Sequence, residues 1–407
     1  MVAMRTRPKL AVLACVMLLA ASVAAQRPAN SEPAAIPGSQ VDDDSRAQLL
    51  TYSAAHQWVI PPRTLNGAWI ANGLARYAEL LSVENQGGKV AFQKALEAVA
   101  AGAMVYDTTP LAKTDSPNPL SPEFQSMTRD KGAMIFHMLR WELGDKAFLT
   151  MLKDLQSQYA DRSVGVADLQ KLAEVESGKP LTAFFTQWVD GTGAPQFTNT
   201  YTIYRLGNNK GFRTDGVIHQ NIDGFRMPVE LSIETDGKTE TQRTEIAGRD
   251  THYVADTVGR PRHIRIDPQG WVLKITPGLR ARVAILKGQQ LAAQGDLKGA
   301  LAEYQKALEE NAESTLAYYR IGEVLFRQRN YSASVNAYRD SLDGDGEPAW
   351  TKAWSHLTLG KIYDLTGQRD RAVGEYQLAV RTNDNFQGAI NEAQNYLQEP
   401  YKGTKSE

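Results

Sequence analysis

The stretch "TYSAAHQW", residues 51 to 58, places His56 where a helical zinc site would put its second imidazole. In the pattern H-E-x-x-H, two histidines one turn apart hold the metal, and the glutamate beside the first activates the metal-bound water. Here the first-histidine position is Tyr52 and the glutamate position is Ser53. Tyrosine and serine are poor zinc donors beside imidazole and carboxylate, and one imidazole cannot supply three ligands. The other histidines, His137, His219, His252, His263 and His356, never pair at i+3 or i+4. The chain shows neither G-x-S-x-G nor the phosphate-cradling G-x-x-x-x-G-K-[ST]. The residues therefore predict no catalytic group, no metal site and no cofactor, with His56 alone surviving at a ligand position. Zinc enters only if a second chain supplies the missing ligands.

Elements around this stretch divide the 407 residues into five parts. Arg5, Arg7 and Lys9 precede an apolar run from Leu10 to Ala21 and small residues in "SVAAQ", the pattern of an export signal over residues 1–25. "VLAC" weakly resembles a lipoprotein box, which would lipidate Cys15; the long apolar run favours ordinary export to the periplasm or medium. Cys15 is the only cysteine, so cleavage leaves no disulfide, thiol nucleophile or thiolate ligand. Residues 26–44, rich in Pro, Ser and Asp, read as a flexible linker, and "VDDD" as a solvated charge run. Helical patterning fills 45–194, with its longest loop at 106–122. Between 195 and 277, "TYTIYRL", "VIHQNI", "MPVELSIET", "THYVAD" and "HIRID" alternate in the manner of strands, which suits a small β-sandwich. The net charge of -1, with no basic block, excludes a dedicated nucleic-acid surface. The apolar run is too short for a comfortable membrane span, so none is expected after cleavage.

Residues 279–398 repeat. Gly288, Gly322 and Gly360 mark first helices; Ala300, Ser334 and Ala372 open second helices; Tyr304, Tyr338 and Tyr376 follow four residues later, and Ala307, Ser341 and Ala379 three after that. This resembles tetratricopeptide repeats, in which small residues let paired helices approach and aromatics fill the gap. "DGDGEPAW" adds four residues to the second repeat, and a helix over 386–398 would cap the stack. The register directs Tyr319, Glu323, Arg327, Trp354, Leu357 and Lys361 into the inner groove, where an aromatic and charged mixture suits an extended peptide or a helix from a protein partner.

Upstream of the repeats, "AHQW" at 55–58, "WIANGLARYAELL" at 69–81, "DKGAMIFHMLRWELGDKAF" at 130–148 and "PLTAFFTQWVDGTGAPQF" at 180–197 come in the order found in the membrane alanyl aminopeptidase (aminopeptidase N and leukotriene hydrolase) family. "FRMPVELSIETDG" and "RIDPQGWVLK" resemble the β-domain that follows. The resemblance implies a helical half-domain of the gluzincin type, a β-sandwich and, with the repeats, an α-solenoid: a multidomain α and β fold. It also implies where the zinc chemistry would sit. Asn72 matches the glutamate ligand of the N-E-G segment, the interval from His56 to Asn72 is short, and Arg129 matches the catalytic tyrosine. The family's G-x-M-E-N strand is expected well upstream, where only a leader and linker are read. The expectation is an exported, non-catalytic scaffold whose repeats bind a partner. The alternative is a zinc aminopeptidase completed by another chain, and a third reading is a truncated product with an unfolded helical region.

Overall fold

The computed structural model describes residues 46–50, 67–114, 118, 120–159, 162–207 and 210–403. The stretch carrying Tyr52, Ser53, His56 and Trp58 lies outside the described residues, as do the leader with Cys15 and the whole linker.

The helical part begins with α1 (Ala68–Val105), which Gly88 interrupts at φ 72° and ψ -171°. A positive φ without a Cβ penalty is what glycine supplies at such a break. Then follow α2 (Pro122–Gln125), a π-helical stretch (Ser126–Lys131), α3 (Gly132–Leu143), α4 (Asp145–Tyr159), α5 (Val166–Ser177) and α6 (Thr182–Trp188). α1 and α3 cross at two glycines. A Cβ on Gly73 would lie 2.5 Å from the Gly132 carbonyl carbon, and one on Gly132 would lie 2.8 Å from the Trp69 carbonyl oxygen. Around that crossing pack Trp69, Tyr77 and Phe136, all fully buried.

Six antiparallel strands follow: β1 (Phe197–Arg205), β2 (Phe212–Gln220), β3 (Arg226–Thr235), β4 (Thr239–Ala247), β5 (Asp250–Thr257) and β6 (Pro261–Ile266). They form two three-stranded sheets, β1-β2-β5 and β4-β3-β6. β4 is absent from the sequence expectation. "TETQRTEIA" is polar at nearly every position and buries only Ile246, so hydrophobic alternation cannot reveal it. Pairing with β3 from Arg226↔Ala247 to Glu234↔Thr239 makes it a strand. Opposite Gly216 stands Tyr253, whose ring occupies the space a side chain would need (2.5 Å to Cε1).

One apolar cluster runs without interruption from Leu49 through the helices and both sheets to Leu279. Trp188 meets Phe225 edge-on at 6.1 Å, and Trp271 stacks between His137 (4.9 Å) and Trp141 (5.1 Å). Beneath it Arg140 is buried between Glu84 (2.9 Å) and Asp145 (2.6 Å).

The repeat helices are α7 (Pro277–Ala293), α8 (Leu297–Glu310), α9 (Thr315–Arg327), α10 (Tyr331–Asp343), α11 (Trp350–Leu365) and α12 (Arg369–Arg381), closed by α13 (Ala389–Gln398). Thr276, Asp296, Ser314 and Asn330 cap α7 to α10 with side-chain oxygens. In each repeat a glycine of the first helix faces a tyrosine of the second. A Cβ would come within 2.3 Å of Tyr304 at Gly288, 2.9 Å of Tyr338 at Gly322 and 2.3 Å of Tyr376 at Gly360. Burial pushes the Tyr304 hydroxyl up to about 12. The inserted "DGDGEPAW" folds back on the start of α9: Asp345 accepts from Thr315 N–H (3.3 Å) and Asn311 Nδ2 (3.0 Å). Among the described residues, no helix is long and apolar enough to cross a membrane.

Candidate functional site

Two surfaces carry the residues singled out by type. The first is the α1–π crossing, where the resemblance puts metal chemistry. Asn72 Nδ2 donates to Thr128 Oγ1 at 3.0 Å, and that hydroxyl donates to the Phe124 carbonyl at 2.7 Å. Arg129 pairs with Glu79 (3.2 Å), and Arg76 bridges Glu79 (2.5 Å) and Asp130 (3.3 Å). Burial raises the Asp130 carboxyl even with both guanidiniums beside it. Two arginines and their two carboxylates thus occupy the face on which a glutamate ligand and a catalytic tyrosine would stand. An amide engaged as a donor and two cations do not fit a divalent metal. Among the described residues, no group of three or more His, Cys, Asp or Glu side chains could hold an ion. His137, the best buried imidazole, is committed to the core. Its Nδ1 faces the Tyr77 hydroxyl (3.3 Å), its Nε2 the Gly270 carbonyl (3.1 Å), and burial with Arg140 nearby lowers its pKa to about 3.

The second surface is the concave side of the repeats, where a cavity of about 420 Å³ opens between α7, α9 and α11. Tyr319, Glu323, Arg327, Trp354 and Lys361 all line it. Leu357 corrects the expectation: it does not line the cavity but is fully buried, in one apolar cluster with Leu359, Ile362 and Tyr376. Tyr319 is at the floor, edge-on to Tyr338 (5.6 Å) and Trp350 (5.1 Å), and burial drives its hydroxyl far above the usual phenol range.

Charges in the cavity are held in place before any ligand arrives. Glu323 accepts from Arg320 at 2.6 Å, and the Arg320 guanidinium lies 5.5 Å from the Tyr319 ring and 5.6 Å from the Trp350 ring. In the amide orientation that satisfies both groups, the Gln289 oxygen accepts from Arg320 Nε (2.8 Å) and Nη2 (2.7 Å). Arg327 donates to the Ala292 carbonyl at the end of α7 (3.0 Å), and Trp354 Nε1 donates to the Phe386 carbonyl (3.0 Å). Lys361 pairs with Glu392 at 2.6 Å inside a ring of Trp354, Tyr396 and Tyr401 at 5.4–5.8 Å. Arg320 and Gln289 escaped the sequence expectation, because the repeat register alone does not say which neighbouring helix lends a partner. An adjacent arginine–glutamate pair at i,i+3 was the available signal.

Comparison with known proteins finds matches in both parts of the chain. Residues 35–188 match the family described as Peptidase family M1 domain, and residues 288–328 match a TPR repeat. Over 158 residues the chain is 23% identical to Tricorn protease-interacting factor F2 of Thermoplasma volcanium, covering 37% of this chain and 20% of that one. It is 25% identical over 162 residues to aminopeptidase N of Lactococcus lactis, covering 37% of this chain and 19% of that one. The chain thus spans about a fifth of the length of these relatives. A solved structure, Legionella pneumophila aminopeptidase A in complex with aspartic acid, aligns at TM-score 0.42 and 11% identity over 83% of this chain and 42% of that one. The chain joins a segment resembling the C-terminal part of peptidase family M1 proteins to a stack of tetratricopeptide repeats.

Proposed function

We propose that this chain is an exported, non-catalytic, peptidase-like scaffold whose repeat groove holds an extended peptide or helix of a protein partner. The observation that carries the reading is the cavity of about 420 Å³ into which three consecutive repeats send aromatic and pre-paired charged side chains. Side chains already fixed by neighbours lose little freedom on binding, which favours recognition. Tetratricopeptide repeats commonly mediate protein interactions, and Tyr319, Glu323, Arg327, Trp354 and Lys361 are the contact residues proposed here. Export rests on the leader pattern at residues 1–25. Loss of catalysis rests on Asn72 and Arg129 at the positions of a ligand and a catalytic tyrosine, and on Tyr52 and Ser53 in the zinc motif.

The test is a peptide array read with purified protein. Retained peptides should bind Glu323→Ala and Arg327→Ala about tenfold more weakly while both variants unfold at the wild-type temperature. Peptides that bind those variants unchanged would remove the groove from the reading. The zinc aminopeptidase alternative, suggested by the names of the relatives, is settled by metal content and turnover on aminoacyl substrates. Stoichiometric zinc with turnover abolished by His56→Ala would replace the scaffold.

A further inference from the structure

The repeats are alike enough to be compared position by position. Tyr304 follows Gly288 at the spacing with which Tyr376 follows Gly360. In both pairs a Cβ on the glycine would lie 2.3 Å from Cε1 of the ring, so the first and third repeats set their tyrosines alike. One turn beyond the glycine stand Ala292 in the first repeat, Phe326 in the second and Asp364 in the third. The third repeat therefore holds a carboxylate beside its tyrosine. Asp364 accepts from the Tyr376 hydroxyl (2.8 Å), the Arg369 guanidinium (3.0 Å) and the Tyr401 N–H (2.8 Å), and its side chain is 1% exposed. In the second repeat, where Phe326 brings no acceptor, the Tyr338 hydroxyl is hydrogen-bonded to Thr358.

The first repeat has neither arrangement. Ala292 lines the groove cavity together with Tyr304 and Arg327. The charges nearest the Tyr304 hydroxyl are Arg320, Glu323 and Arg327, and none of them hydrogen-bonds it. Arg327 is exposed and donates to the Ala292 carbonyl at 3.0 Å, which places the guanidinium at this same residue. Most of its N–H donors are left over, and among the described residues no carboxylate pairs with it. The other cations of the cavity are matched, Arg320 by Glu323 (2.6 Å) and Lys361 by Glu392 (2.6 Å). A hydroxyl and a guanidinium thus converge where the third repeat supplies an acid from its own helix, and a charge-assisted bond to a carboxylate is the strongest that this pair of donors makes.

Resting on the groove reading above, we propose that the first-repeat end of the groove takes an aspartate or glutamate side chain of the bound peptide, with the Tyr304 hydroxyl and the Arg327 guanidinium as its donors. Ala292 leaves the room that Asp364 fills in the third repeat. The occupant is a side chain and not a chain terminus, because the group that stands in for it in the third repeat is a side-chain carboxylate.

Two measurements on the full chain test it. The first needs no ligand: Ala292→Asp supplies the carboxylate from within, and Ala292→Asn is its uncharged counterpart. At neutral pH the aspartate variant should unfold at the higher temperature, and adding Arg327→Gln to both should abolish the difference. No difference, or one that survives Arg327→Gln, overturns the proposal. The second uses a blocked alanine pentapeptide with aspartate at its centre, its asparagine analogue, and an alanine pentapeptide with a free C-terminal carboxylate. The readout is the Arg327 Nε–H signal of a ¹H–¹⁵N spectrum, assigned by Arg327→Lys. The aspartate peptide should move it saturably, while the other two bind about tenfold more weakly. Ala292→Asp should weaken the aspartate peptide to the same degree. An unmoved signal, equal binding of either comparator, or unchanged affinity in Ala292→Asp overturns the proposal. If array peptides bind through the groove yet tolerate an amide at every acidic position, this subsite falls and the groove reading stands. An empty array removes the groove reading, while the Ala292 variants still decide whether the two donors converge on a carboxylate.

Discussion

Gly73 on α1 and Gly360 on α11 solve the same packing problem in two regions that end at very different surfaces. At Gly73 a helix backbone approaches another helix backbone, and at Gly360 it approaches the ring of Tyr376. Both regions keep small residues at crossings and large aromatics beside them. In the peptidase-like region the crossing closes on itself: Arg76, Arg129, Glu79 and Asp130 pair across the face where chemistry would be expected. In the repeats the same packing holds first helices side by side along a curve and leaves a cavity between α7, α9 and α11. Packing residues and polar residues thus occupy different faces of the same helices, so the packing does not depend on which groups the polar face carries.

The comparison can be broken most forcefully at Arg140. Arg140→Leu leaves Asp145 buried without its cation and Glu84 with Arg46 alone, and should cost about 3–5 kcal/mol in urea unfolding. A loss below 1 kcal/mol, on the order of an exposed pair, would mean that this core is not dry. Next comes Leu357→Ala, expected to cost about 2–5 kcal/mol because the side chain is fully buried in the repeat core. If it instead weakens peptide binding at unchanged stability, Leu357 belongs to the groove after all.

The two glycines give a sharper contrast. Gly73→Ala meets rigid backbone and should cost about 3 kcal/mol, near the top of the overpacking range. Gly360→Ala meets a ring and gains helix propensity, so about 1–2 kcal/mol is expected. Equal losses would remove the distinction between backbone and side-chain contact.

His137 tests the first region through pH. Its folded pKa, about 3, lies below its unfolded value of 6.5, so below pH 6.5 the unfolded chain binds the proton first. Stability is full above the unfolded pKa and falls as the pH drops from there toward the folded one. By pH 5 the loss should be about 2 kcal/mol relative to neutral pH, at about 1.4 kcal/mol per unit. Urea midpoints of wild type and His137→Gln at the two pH values check it: the variant should lose most of the slope. The smallest effect belongs to the groove, where Arg327→Ala should weaken a bound peptide about tenfold, or about 1.4 kcal/mol, in fluorescence anisotropy.

Much of the molecule could be read from residue order. The repeats were legible because glycine, alanine and tyrosine recur at matched positions, and each match reflects one steric need met three times. β4 was not legible: its side chains point largely to solvent, and only hydrogen bonding to β3 defines it. Leu357 was misplaced because the repeat register gives a helix's inner side but not the depth of each side chain on it, and Leu357 is fully buried in the repeat core. Arg320 and Gln289 went unread because their partnership joins two different helices.

What the sequence determined by itself is chemical identity. Asn72 and Arg129 carry none of the thiolate, imidazole or carboxylate donors zinc is usually given, and the recurrence of Gly288, Gly322 and Gly360 points to paired helices that approach closely. What tertiary structure alone decided is which polar groups find partners. The Glu323–Arg320–Gln289 chain, the caged Lys361 and the orphaned N–H groups of Gln187 and Trp188 all arise from segments that meet only after folding. Local patterning controls which face a residue occupies, whereas the satisfaction of a buried polar atom depends on residues distant in the chain.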